Sequence, residues 1–128
     1  MQELKERIIR EGKVLPGSII KVDGFLNHRI DTGLLVRIAE EFGKYFNMDD
    51  VTMILTAEAS GIALATAVAM HYHKPMIFAK KAKSDNIEGG LYKSDIYSYT
   101  YKKKVTLLVS KEWLSRRRAP SADPDNCR

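Results

Sequence analysis

Residues 51–79, VTMILTAEASGIALATAVAMHYHKPMIFA, carry the argument for an α/β protein. VTMIL (51–55) is short and apolar and reads as a buried strand. The polar run TAEASGI begins a turn. Residues 62–73 are rich in alanine and read as a helix of small residues, which Pro75 ends. MIFA (76–79) then returns as a second strand. Strand, turn, helix and strand in about 30 residues is the size of a right-handed parallel βαβ unit.

Toward the N-terminus, residues 2–11 read as a short helix. Leu4 and Ile8 share a face, and Glu3–Arg7 and Glu6–Arg10 are favourable i,i+4 pairs. Gly12 is its expected cap. Pro16 and Gly17 mark a turn, and Ile19, Ile20 and Val22 suggest a short strand. Asp31 is placed to cap a helix over 32–46 whose apolar face is Leu34, Leu35, Ile38, Phe42 and Phe46. Toward the C-terminus, KKAKSDNIEGG (80–90) reads as a charged, mobile loop. Tyr97, Tyr99 and Tyr101 alternate with Ser98 and Thr100, KKK (102–104) makes a turn and VTLLV (105–109) returns, the pattern of a β-hairpin. SRRRAPSADPDNCR (115–128) holds no leucine, isoleucine, valine or aromatic residue. It is expected to be a disordered basic tail.

Composition narrows the classes of function. The 128 residues suffice for one domain. Apolar residues make up 45% and charged residues 29%, a globular balance that argues against wholesale disorder. No apolar run nears the ~18 residues of a membrane span. The opening MQELKERIIREGK lacks the apolar centre of a secretory signal. The one cysteine, Cys127, excludes an internal disulfide and a cysteine-built zinc site, which fits a reducing cytoplasm. The net charge of +5 falls wholly on residues 101–128, because residues 1–100 are balanced. A basic tail attracts polyanions without specificity, so no specific nucleic-acid partner is expected.

The first candidate site is Glu58, Ala59, Ser60, Gly61 and Ile62, between strand and helix. Gly61 lets backbone approach a ligand, Ser60 adds a hydroxyl, and a helix N-terminus offers unpaired N–H groups to an anion. An ordinary βα turn with a serine cap fits the same residues. The second is Lys80, Lys81, Lys83 and Ser84, just past the second strand, where open parallel sheets gather ligands. A solvated basic loop fits these too. Their placement at one end of one sheet favours a polyphosphate. His71 and His73 have the wrong spacing for one helical face and read as surface residues. His28, beside Asn27, says little alone. Asp49 and Asp50 read as a cap or turn. The tyrosines read as one packed face of the hairpin. No nucleophile–base pair and no P-loop spacing occurs, so no catalytic residue is assignable.

The runs KVDGFLNHRID (21–31), TAEASGIALA (56–65), PMIFAKKAKS (75–84) and YSYTYKKKVTLLVSKEWLS (97–115) together resemble the bacterial xanthine phosphoribosyltransferase family. The similarity extends without a gap from the N-terminus to about Ser115. It implies a type I phosphoribosyltransferase fold over 1–115, with a small hood to which 1–31 contribute. It also implies transfer of the phosphoribosyl group of 5-phosphoribosyl-1-pyrophosphate to xanthine in purine salvage, by a cytoplasmic homodimer using Mg²⁺. On this resemblance Ile20 and Asn27 are the xanthine contacts. Residues 58–62 are the pyrophosphate-binding loop. Lys80, Lys81, Lys83 and Ser84 begin the flexible loop that covers the site. Leucine is common in the family where Ile20 stands.

The resemblance stops where the family's ribose-phosphate signature is due, an apolar strand, two adjacent acids and a glycine-bearing loop. RRRAPSADPDNCR stands there instead. Asp123 and Asp125 are not adjacent and follow no apolar strand. The expectation is therefore a partial parallel sheet that lacks the C-terminal half of the core, with 116–128 a foreign, frameshifted tail. Apolar faces of 51–55, 62–73 and 105–109 are left without partners, and the chain alone is inactive. The alternatives are another purine phosphoribosyltransferase, a purine-sensing repressor and a non-catalytic remnant that binds an intact copy.

Overall fold

The computed structural model describes residues 1–82, 90–98 and 102–114. Tyr99, Tyr101, Lys83, Ser84 and the tail expected over 116–128 lie outside them. Helix α1 (Gln2–Glu11) lays Leu4 and Ile8 against the core, as their spacing requires. Its charges find other partners than the expected Glu3–Arg7 and Glu6–Arg10. Glu3 takes Arg37 in a fork, both carboxylate oxygens 2.9 Å from Nε. Arg7 pairs with Glu11 and with Asp31. A bidentate guanidinium–carboxylate contact between two helices outcompetes a loose pair along one. Gly12 ends α1 by donating its N–H to the Ile8 carbonyl at 2.8 Å. Its backbone is extended, and glycine is needed for space, because a Cβ would stand 2.4 Å from that oxygen.

Strands β1 (Lys13–Leu15) and β2 (Ile19–Lys21) form an antiparallel hairpin with Val14 opposite Ile20. The turn is at Pro16 and Gly17, as read, and Gly17 takes φ +85°. A π-helical turn at Asp23–Asn27 follows, so His28 closes a helical turn rather than following a strand. This turn places Phe25 in the core with no exposed surface. Helix α2 (Thr32–Tyr45) is capped as predicted. The Asp31 carboxylate accepts the Leu34 N–H at 3.0 Å. Leu34, Leu35 and Ile38 are buried, whereas Phe46 lies just past the helix and is mostly exposed. Asp49 and Asp50 sit in a 3-10 turn, Met48–Asp50, where Asn47 accepts from the Asp49 N–H.

The βαβ unit forms with shifted bounds. Strand β3 is Ile54–Ala57, α3 is Ser60–Tyr72 and β4 is Met76–Ala82. Val51 belongs to the core without pairing in the sheet. β3 and β4 are parallel, from Ile54 opposite Met76 to Ala57 opposite Ala79. Strand β5 (Leu91–Ser98) and strand β6 (Lys103–Ser110) make the expected hairpin, from Leu91 opposite Ser110 to Ser98 opposite Lys103. Lys103 and Lys104 therefore begin a strand instead of lying in the turn. β6 also pairs antiparallel with the far half of β4, Lys80 opposite Leu108 through Ala82 opposite Thr106. The four-stranded order is β3-β4-β6-β5.

Two apolar clusters hold the helices together, and the second reaches the sheet. Phe25, Leu34, Leu35 and Ile38 gather α1, the π turn and the first turns of α3 through Ala63, Leu64 and Ala67. Ala39, Met48 and Val68 join α2 to α3 and reach Ile54 on β3. Leu55 and Met70 remain more than half exposed. Among the described residues no helix is long and apolar enough to cross a membrane.

Candidate functional site

The βα turn is built by the end of the parallel pairing. The Glu58 N–H still donates to the Ala79 carbonyl at 3.0 Å, the last rung of the β3–β4 ladder. The chain then leaves the sheet, through a cis peptide between Glu58 and Ala59, into α3. β4 runs on without β3 beside it. The Glu58 side chain follows it, Oε1 accepting the Lys81 N–H at 2.6 Å. A carboxylate thus continues the ladder where β3's backbone has turned away, and it ties the turn to the base of the lysine-bearing segment.

Ser60 is the first residue of α3 and not its cap. Ala59 holds the cap position and supplies no side-chain acceptor. The Ile62 N–H donates to the Ala59 carbonyl at 3.2 Å, and the Ser60 and Gly61 N–H groups, with the positive end of the helix dipole, are left for solvent or an anion. Ala59 and Ser60 are exposed, and Gly61 and Ile62 half-buried. Gly61 has a structural reason to be glycine, since a Cβ there would stand 2.2 Å from the Thr56 Oγ1. The first turn of α3 presses on the end of β3, and Thr56 is the neighbour that sequence reasoning missed. A glycine five residues after a strand threonine gives no local signal of that contact.

Lys80 and Lys81 are strand residues, which corrects the loop expected over 80–90. Neighbours on a strand point to opposite faces. Lys80 is accordingly exposed and Lys81 half-buried, with its amide held by Glu58. β6 explains the longer strand, because residues 80–82 gain a second partner after β3 ends. Glu58, Ser60 and Lys81 are brought together at the carboxyl end of the parallel pair. Ile20, on β2, and Asn27, at the end of the π turn, are exposed and lie on two elements apart from the βαβ unit. Leu26, beside Asn27, and Ala63, beside Ile62, pack against one cluster, so a shared core links the π turn to the start of α3. His71 and His73 lie at the exposed end of α3, as expected.

A groove of about 230 Å³ between α1 and α2, lined by Met1, Leu4, Ile38, Glu41, Phe42, Tyr45 and Phe46, shares no residue with this turn. Among the described residues no group of three or more His, Cys, Asp or Glu side chains is placed to hold a metal ion.

Sequence comparison finds curated relatives at moderate identity. The xanthine phosphoribosyltransferase of Lachnoclostridium phytofermentans is 47% identical over 114 residues, 89% of this chain and 59% of that protein. That of Lactiplantibacillus plantarum is 45% identical over 114 residues, 89% of this chain and 58% of that protein. The chain thus spans about three-fifths of the length of the relatives it matches. No family model matches it. Among solved structures, APRTase from Giardia lamblia complexed with 9-deazaadenine has a TM-score of 0.62 at 19% identity, over 84% of this chain and 59% of that one. Adenine phosphoribosyltransferase from Saccharomyces cerevisiae has a TM-score of 0.63 at 18% identity, over 88% and 64%. By sequence the chain is homologous to the bacterial xanthine phosphoribosyltransferases, and it carries a phosphoribosyltransferase fold.

Proposed function

We propose that the chain supplies the purine-facing and pyrophosphate-binding part of a xanthine phosphoribosyltransferase. The observation that carries this is the uncapped start of α3, pinned by Glu58 beside Lys80 and Lys81, in a chain 47% identical to a curated enzyme of that name. In the reaction, the bond from the ribose anomeric carbon to the diphosphate breaks. Positive charge builds on that carbon and negative charge on the leaving group. A xanthine nitrogen forms the new C–N bond and gives up its proton. No protein nucleophile is required, so the chain's work is to position substrates and stabilise the departing diphosphate. The 58–62 turn, with the free Ser60 and Gly61 N–H groups, meets that charge, Ile20 and Asn27 hold the purine, and Lys80, Lys81, Lys83 and Ser84 begin the covering loop.

The described residues do not form a protein cage for Mg²⁺. The ion belongs to this reading as a charge carried on substrate phosphate, which is how Mg²⁺ usually binds. A cytoplasmic homodimer without a membrane or nucleic-acid partner completes the reading. These 128 residues have no counterpart of the family's adjacent-acid, glycine-bearing ribose-phosphate loop. The chain alone is therefore expected to give no xanthosine 5'-monophosphate from xanthine and 5-phosphoribosyl-1-pyrophosphate.

A base titration followed by amide NMR tests the purine assignment. Xanthine is expected to shift the signals of Ile20 and Asn27 more than adenine, guanine or hypoxanthine does. A larger response to another base would move the chain to a sister purine enzyme. No response to any would leave the non-catalytic reading in its place.

A further inference from the structure

We infer that Tyr72 is a positioning residue for the 58–62 turn, acting through the register of α3. This rests on the function proposed above. α3 packs through Ala63, Ala67, Leu64 and Val68. Its alanines offer little relief along the helix axis. Directional contacts at its two ends therefore add to the packing of Leu64 and Val68 in setting its register. At the start, Gly61 abuts Thr56.

At the other end, the hydroxyl of Tyr72, the last residue of α3, enters the hydrogen-bond ladder of α2. It accepts the Gly43 N–H at 2.7 Å and donates to the Ala39 carbonyl at 2.6 Å, with the Glu40 carbonyl at 3.2 Å. Gly43 and Ala39 are four apart, the pair that an uninterrupted α-helix would bond directly. The phenol therefore bonds both groups of one rung of α2. Gly43 makes room for it, since a Cβ there would lie 2.6 Å from the hydroxyl oxygen. Two directional bonds fix the end of α3 along α2, and a 13-residue helix carries that register to Ser60 as a rigid rod.

Tyr72→Phe removes the hydroxyl and both of its bonds to α2. Gly43→Ala expels the hydroxyl sterically while keeping the tyrosine. It is the second variant should the first fail to fold. In either folded variant, amide signals of 58–62 are expected to shift without ligand. Pyrophosphate affinity is expected to weaken about fivefold, the scale of one net hydrogen bond. Gly43→Ala made on top of Tyr72→Phe is expected to cause no further shift at 58–62. Unchanged 58–62 signals in both folded variants overturn the inference, as does unchanged pyrophosphate affinity. If wild-type chain binds no pyrophosphate, the functional reading fails instead, and the ligand-free shifts still decide the role of Tyr72.

Discussion

Asp31 caps α2 through the Leu34 N–H and pairs with Arg7 of α1. The Leu34 N–H and then the Arg7 guanidinium hold its carboxyl below the ordinary value of 3.8. The unfolded chain therefore takes up a proton at higher pH than the folded one. The stability from this group is present above about pH 4 and is lost as pH falls through the lower folded value. Melting temperature is expected to drop with acidification below about pH 4, and less steeply in Asp31→Asn. An equal slope in both proteins contradicts the assignment. Glu41, also lowered, by Lys44, keeps part of the slope in the variant. Gly61 reads as a ligand-approach glycine, but its contact with Thr56 emerges only once strand and helix are folded together. Gly61→Ala is expected to destabilise by about 1–3 kcal/mol by overpacking. Thr56→Ser, whose hydroxyl turns freely without the β-branch, should recover part of that in a denaturant double-mutant cycle. Additive effects would mean that the clash is not the cause.

At the scale of elements, helices with a capped or periodic face were readable, and strand ends were not. VTMIL is apolar along its whole length, so nothing local says that pairing begins at Ile54. Lys80 and Lys81 look like loop residues because their partner, β6, comes far later in the chain. Phe25 has no periodic neighbours, and only the π turn reveals it as core. The Glu58–Lys81 bond belongs to this scale, because it spans two elements that local pattern treats separately. Glu58→Ala is expected to speed hydrogen exchange at the Lys81 amide about tenfold, leaving amides of α2 unchanged. Undiminished protection at Lys81 would show that another acceptor serves it.

At the scale of the molecule, the α/β class followed from the βαβ spacing and the phosphoribosyltransferase fold from the family resemblance, and the structural neighbours agree with both. The meeting of the 58–62 turn with β4 was also foreseeable, since parallel strands put their carboxyl ends together. How the N-terminal segment packs near that turn was not, because it depends on a core shared by Phe25, Leu34 and α3. The central claim is that this turn is an anion site for diphosphate. Titration of ¹⁵N-labelled chain with pyrophosphate, with and without Mg²⁺, tests it most directly. Saturable shifts centred on the amides of Ser60 and Gly61, strengthened by Mg²⁺, are expected. Shifts confined to the basic residues after Tyr101, or no saturable response at all, would contradict it.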